Sequence, residues 1–218
     1  MYMLQVRNLT IPFVKQTVSF SLRQGETLGI VGVSGCGKSS TAKAILRLLP
    51  PSAQVQGEAL FQGIDLLSCS ERTLRSVRGR EIGFVFQDPV GALNPTRTIG
   101  AQIVEPLLIH KLMKRKAAYD RASELLSLVG METTPLSYYP HQLSKGMCQR
   151  IVLAIALAPN PTLLIADEPT TALDVETRKK IFDLLHSLRD RTSVILISHE
   201  QDLVKSFCDQ IFSFDKSL

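Results

Sequence analysis

Gly32-Val33-Ser34-Gly35-Cys36-Gly37-Lys38-Ser39 is the stretch on which the reading of this chain turns. It fits G-x-x-x-x-G-K-[ST] at every constrained position. The residues before it, Thr27-Leu28-Gly29-Ile30-Val31, form the short apolar run expected of a buried strand. After it the pattern predicts a helix over residues 38–49, stopped by Pro50-Pro51. A glycine-rich turn between strand and helix is a phosphate-binding loop. Glycines let backbone N–H groups converge on phosphate oxygens without Cβ clashes, and the helix N-terminus adds partial positive charge. The candidate nucleotide-binding residues are therefore Gly32, Ser34, Gly35, Cys36, Gly37, Lys38, Ser39 and Ser40. Lys38 is expected to reach the β- and γ-phosphates of ATP, and Ser39 to ligate Mg²⁺.

Outward from the loop, residues 3–31 read as strands with turns at Pro12-Phe13 and Gln24-Gly25, and residues 55–61 and 82–86 as further strands. Residues 98–158 are helical in pattern, with Ala118, Ala122, Leu125, Leu126 and Val129 on one face. Residues 162–166 resume the apolar strand pattern. A helix with Ile181, Leu184, Leu185 and Leu188 on one stripe follows, then a buried strand over residues 193–197. Strands alternating with helices imply a mainly parallel sheet covered on both faces, whose ligands bind at the carboxyl ends of the strands. The strand ending near Ala166 delivers two carboxylates there. Asp167 is expected to hold Mg²⁺, and Glu168 to position or deprotonate the attacking water.

The chain has 218 residues, 44% hydrophobic and 21% charged, with a net charge of +5. That suits one globular domain with a small inserted lobe. No apolar run approaches the ~20 residues of a membrane span. The N-terminus lacks a charged-then-apolar signal pattern, so a cytoplasmic location is expected, with membrane contact made through a partner. Cys36, Cys69, Cys148 and Cys208 form no C-x-x-C pair, and reduced thiols are expected. The positive charge weakly favours anionic partners. The densest basic stretch, residues 111–116, reads as a solvated helix face rather than a nucleic-acid groove, and no nucleic-acid partner is expected.

Several motifs stand in a fixed order after the loop: Phe86-Gln87-Asp88-Pro89; Leu143-Ser144-Lys145-Gly146-Met147 before Gln149-Arg150; Asp167-Glu168-Pro169 leading to Ala172-Leu173-Asp174; and His199 after Ile197-Ser198. The series covers nearly the whole chain and resembles the ABC-type ATPase family. The run from Phe86 to Asn94-Pro95 resembles more specifically the oligopeptide, dipeptide and nickel importer branch. The resemblance implies a P-loop NTPase (RecA-like) α/β core with a mainly parallel sheet and a small antiparallel β-lobe. It also implies one domain over residues 1–218, with an α-helical lobe inserted at about residues 90–158.

The resemblance also implies roles. Gln87 would sense the γ-phosphate and Mg²⁺ and link the site to a membrane partner. His199 would contact the γ-phosphate and steady Glu168 or the water. Asp174 would belong to the loop communicating between two sites, and it also suits the N-cap of the next helix. Ser144 and Gly146 would contact ATP bound by a second subunit. Here the sequence departs from the family's Leu-Ser-Gly-Gly-Gln, with Lys145 for the first glycine and Met147 for the glutamine. Lys145 either obstructs close approach or favours the phosphate by its charge. An intact loop beside an altered signature suggests a heterodimer with unequal sites, a homodimer remaining possible. Phe13 is either the adenine contact or a packing residue of the β-lobe. Relatives in this branch continue past the strand ending near Phe214, whereas Asp215-Lys216-Ser217-Leu218 ends the chain. Cysteine-rich iron–sulfur extensions are absent, so no cluster is expected.

The expected function is that of an ATP hydrolase energising an ABC importer for peptides or nickel and metal chelates. It would sit on the inner face of the cell membrane against permease subunits, docked through residues 88–104. The alternative is a soluble ABC ATPase accessory to a multi-enzyme complex, with no transport role.

Overall fold

The computed structural model describes residues 2–132 and 134–214; the expectation about the last four residues lies outside these. The chain opens with strands β1 (Tyr2–Thr10), β2 (Val18–Arg23) and β3 (Thr27–Val31) and helix α1 (Lys38–Ile45). Strands β4 (Gln56–Phe61) and β5 (Ile64–Asp65) and helix α2 (Glu71–Val77) follow. The middle runs β6 (Ile82–Val85), α3 (Pro89–Ala92), α4 (Ile99–Ile109), α5 (Arg115–Leu128), α6 (Lys145–Leu157), β7 (Leu163–Asp167) and α7 (Val175–Ser187). Strand β8 (Ser193–Ile197), helix α8 (Gln201–Phe207) and strand β9 (Gln210–Ser213) close it. This is an α/β fold with parallel strands, a small antiparallel sheet and helices, and it divides into two units. No helix among the described residues is long and apolar enough to cross a membrane.

The first unit comprises residues 1–78 and 189–218. Its antiparallel sheet has the order β2-β1-β4-β5. Leu4, Val6 and Leu9 of β1 are buried, as are Leu22 and Phe61 on its neighbours, so one face of the sheet supplies a core. Strand β3 lies between β8 and β9, parallel to both. Every residue of β3 and of β8 is buried, as parallel strands covered on both faces must be. Helix α1 stops at Ile45, short of the expected residue 49. Arg47 takes a left-handed backbone with φ 51, while the Arg47 and Leu48 N–H groups bond back to Ala44 and Lys43. The Arg78 guanidinium then donates to the carbonyls of Leu46 (2.7 Å) and Arg47 (2.8 Å). The helix end is thus finished by the Arg78 side chain from the end of α2 rather than by the prolines.

At the opposite end of β3, Thr27 and Asp209 clamp the strand to the segment entering β9. The Asp209 carboxylate accepts from the Thr27 hydroxyl at 2.7 Å and from its N–H at 2.8 Å, and Arg189 lies 3.6 Å away. Burial alone would lift the Asp209 carboxyl, but the Thr27 bonds and the Arg189 charge outweigh it and hold the carboxyl below its usual range. A carboxyl depressed by folding stabilises the fold above its unfolded pKa, and that contribution fades as pH falls through the folded value. Asp209→Ala is therefore expected to lower the melting temperature by about 2–4 °C at pH 7, the worth of roughly one net hydrogen bond. In scanning calorimetry the gap between variant and wild type should begin to narrow as pH falls below about 4. A gap that does not narrow as pH falls through the acid range contradicts the assignment.

The second unit comprises residues 79–188. Its strands β6 and β7 pair in parallel, and α6 packs against β6. Helices α4, α5 and α6 pack on one another. The expected α5 face is the packed one: Ala118, Ala122, Leu125, Leu126 and Val129 are all buried. Thr98 caps α4 by accepting from the Ala101 N–H, so the helical stretch begins where the pattern placed it.

Candidate functional site

In the first unit the phosphate-binding loop follows β3 directly. Lys38 is 8% exposed, and its ammonium donates to the carbonyls of Gly32 (2.7 Å) and Val33 (3.0 Å). The lysine therefore lies along the loop, and the loop curls around its charge. Gly37 has φ 118, and a Cβ there would lie 2.6 Å from a Val14 methyl. Only glycine fits both the backbone angle and the space.

Strand register places a second expected residue at the same edge. Ile30 of β3 pairs with Ile197 of β8 in parallel, so Gly32 and His199 each emerge two residues past a paired position. His199 is exposed there. On the other side of β3, the Phe214 N–H donates to the Val31 carbonyl at 2.9 Å. Phe214, Phe13 and loop residues Ser34, Gly35 and Cys36 line a cavity of about 670 Å³. Phe13 sits in the turn between β1 and β2 and is 60% exposed, so it presents a ring to this cavity rather than packing in the β-lobe. An aromatic face beside a polyphosphate loop is suited to stacking a planar base. Sequence reading missed Phe214 and Gln16, which also line the cavity. The Gln16 amide reaches the Ser213 carbonyl at 3.4 Å, a contact between residues far apart in sequence.

In the second unit the same register logic recurs. Val85 of β6 pairs with Ala166 of β7, so Gln87 and Glu168 each emerge two residues beyond. Gln87 is exposed, and Asp88 after it caps α3 by accepting from the Val90 N–H. Asp167 is 1% exposed at the end of β7. Glu168 is 7% exposed and holds a left-handed backbone, φ 52, which costs a non-glycine residue about 1–3 kcal/mol. The Thr171 hydroxyl lies 3.1 Å from the Glu168 carboxylate and 3.3 Å from its carbonyl, bracing the strained residue. Thr171 went unremarked in the sequence; its hydroxyl three residues after Glu168 was the available signal.

Ser144 caps α6, its oxygen accepting from the Met147 N–H at 3.2 Å. Lys145 opens that helix and is exposed. A Cβ on Gly146 would lie 2.9 Å from the Ala172 carbonyl, so this segment abuts the loop between Glu168 and Asp174. Asp174 caps α7 through the Thr177 N–H (2.9 Å) and hydroxyl (2.7 Å). Those two bonds, the N–H first, hold its carboxyl below the usual range.

The expected residues thus fall into two sets, with Gly32, His199, Gln87, Asp167 and Glu168 at the carboxyl ends of parallel strands. The first unit carries the loop, Phe13 and His199; the second carries Gln87, Ser144, Gly146, Asp167, Glu168 and Asp174. Ser39 in the first unit, and Gln87 and Asp167 in the second, carry hydroxyl, amide and carboxylate oxygens, each a donor of the type that a hard cation such as Mg²⁺ takes.

Comparison with known proteins gives concordant findings. The sequence profile described as "ABC transporter" matches residues 15–171. An oligopeptide transport ATP-binding protein, OppD of Bacillus subtilis, is 46% identical over 223 residues, covering 96% of this chain and 62% of the relative. A dipeptide transport ATP-binding protein, DppD of the same organism, is 47% identical over 222 residues, covering 95% and 66%. The chain thus spans somewhat under two thirds of the length of these relatives. Among solved structures, the dimeric post-hydrolysis state of the ATP-binding cassette MJ0796 bound to ADP and Pi superimposes with a TM-score of 0.86 at 30% identity. It covers 97% of this chain and 94% of that one.

Proposed function

The chain belongs to the ABC transporter family, and from that premise we propose that it is the ATP-hydrolysing subunit that energises a peptide importer. The observation that carries the reading is the paired delivery of family motif residues, Gly32 with His199 and Gln87 with Glu168, at the carboxyl ends of parallel strands. The peptide assignment draws on relatives described as oligopeptide and dipeptide transport ATP-binding proteins. The whole chain forms one ATPase domain in this reading, with the helical lobe inserted at about residues 90–158.

In the proposed mechanism the loop N–H groups and Lys38 bind the β- and γ-phosphates, and Phe13 stacks on the adenine. Ser39, Gln87 and Asp167 are the residues that would hold Mg²⁺, and the ion would supply charge neutralisation at the phosphate oxygens. Glu168 orients the attacking water and accepts its proton, with His199 steadying the γ-phosphate side. Ser144 and Gly146 reach the ATP of a second ATPase subunit, and Asp174 belongs to the loop linking the two sites. Closing of the pair moves the helical lobes against permease subunits at the inner face of the membrane. Mg²⁺, the second ATPase subunit and the permease belong to this proposal.

Thr171 acts in this scheme by positioning Glu168. Thr171→Ala is expected to lower kcat about ten-fold with KM for ATP unchanged, whereas Thr171→Ser, which keeps the hydroxyl, stays within about two-fold. Phosphate release by the assembled complex reads both values, and equal losses in the two variants would remove the hydroxyl from the scheme.

Gentle solubilisation of native membranes and purification through a tag on this chain tests the transport role. Recovery with multi-span membrane proteins and a second ATPase in fixed ratio is expected. Recovery only from the soluble fraction, alongside enzymes, overturns transport and favours the accessory-ATPase reading.

A further inference from the structure

The hairpin between α4 and α5 places cations where helix chemistry prefers something else. Helix α4 ends in a tight turn: the Lys111 N–H bonds the Leu108 carbonyl at 3.1 Å, and the Leu112 N–H bonds that of Leu107 at 2.9 Å. Lys111 occupies the left-handed position of that turn, φ 55, which glycine normally fills because any side chain is strained there. Arg47 occupies the equivalent position after α1, but its side chain is engaged, donating to the Cys69 carbonyl and lying 3.7 Å from Glu71. Lys111 has no such partner among the described residues. Lys114 stands at the N-cap of α5 and makes no side-chain cap, where Ser, Thr, Asp or Asn is preferred. Arg115 and Lys116 then load the first turn with positive charge, and that turn has no acidic residue. The helix dipole disfavours this arrangement unless an anion lies against it.

These charges find no ion-pair partner among the described residues. Lys111, Lys114, Arg115 and Lys116 are exposed, and none forms an ion pair among the described residues. Glu105 on α4 is taken by Arg97, Glu124 on α5 is taken by Arg121, and Asp120 bonds none of the four. Arg115 lies 6.0 Å over the Tyr119 ring, a contact that leaves its donors free. Two large apolar side chains stand beside them, Ile109 at 66% and Leu112 at 36% exposure. Four cations without an ion pair among the described residues, flanked by exposed aliphatic groups across the hairpin tip, complement a surface that is anionic at its face and apolar just beneath.

We infer that this hairpin tip docks on a lipid bilayer through anionic headgroups, with Ile109 and Leu112 entering the interface. The inference stands on the hairpin and not on the ATPase reading, so the two fail separately. Flotation of the 218-residue chain with vesicles of phosphatidylcholine alone, or with about one third phosphatidylglycerol, tests it. Binding to the anionic vesicles only is expected. It should weaken as salt rises and fall about five-fold for each cation removed, so that K111E/K114E/R115E/K116E abolishes it. Lys111→Gly separates charge from folding. It relieves the left-handed strain and should raise the melting temperature by about 2–4 °C while weakening vesicle binding. Thermal melts confirm that the quadruple variant remains folded. Equal binding of wild type to neutral and anionic vesicles, undiminished binding by the quadruple variant, or retention on duplex DNA with no vesicle binding would each overturn the inference.

Discussion

Glu168→Gln is expected to lower phosphate release by about three orders of magnitude and to leave ATP affinity within a few-fold of wild type. The substitution is close to isosteric. It keeps the volume, leaves an amide oxygen for the Thr171 hydroxyl that now lies 3.1 Å from the carboxylate, and does not change the left-handed backbone at φ 52. What it removes is proton acceptance and the negative charge beside the water. Loss of a positioned general base costs about 10²–10⁴ in rate. Single-turnover phosphate release and equilibrium ATP binding on the same preparation separate the two effects. A variant that binds ATP and still releases phosphate at the wild-type rate removes Glu168 from the chemistry. A variant that loses both points to damaged folding, which a thermal melt identifies.

Gly37→Ala is expected to be the most damaging single methyl in the phosphate-binding loop. Two penalties combine. The backbone at φ 118 costs an L-residue about 1–3 kcal/mol, and the new Cβ would stand 2.6 and 2.7 Å from the two Val14 methyls, an overpacking of about 1–3 kcal/mol more. Their sum is a large fraction of a domain's stability of about 5–15 kcal/mol. The penalties can be told apart because only one involves Val14. In urea unfolding, Gly37→Ala with Val14→Ala should be more stable than the sum of the single changes by about 1–3 kcal/mol, yet still below Val14→Ala alone. Strict additivity would mean that the clash is not the cause.

Much of this architecture is legible in the sequence because its signals are local. The loop motif sits between β3 and α1, Thr98 announces α4, and the α5 face from Ala118 to Val129 is the face that packs. Parallel register then follows from alternation of strands and helices, and it fixes which residues emerge at the strand ends. What was missed depends on contacts between residues far apart in the chain. The stop of α1 is set by Arg78, part of the cavity lining by Phe214, and no pattern around either residue foretells this. Thr171 was missed for a different reason. A hydroxyl in a polar loop is unremarkable until the strained backbone of Glu168 shows what it braces. The basic stretch near Lys111 read as a solvated helix face because a charge count does not reveal that Lys111 sits in a left-handed turn.

The proposed ATPase chemistry rests on Lys38 for phosphate binding and on Asp167 for its dependence on Mg²⁺. Calorimetric titration of ATP into the Glu168→Gln chain tests it most directly, with and without Mg²⁺, and with Lys38→Ala or Asp167→Asn added. One ATP per chain is expected, with about 100-fold weaker binding for Lys38→Ala and a Mg²⁺ dependence that disappears with Asp167→Asn. ATP binding that is indifferent to Mg²⁺ and to Asp167, or no saturable binding at all, would contradict it.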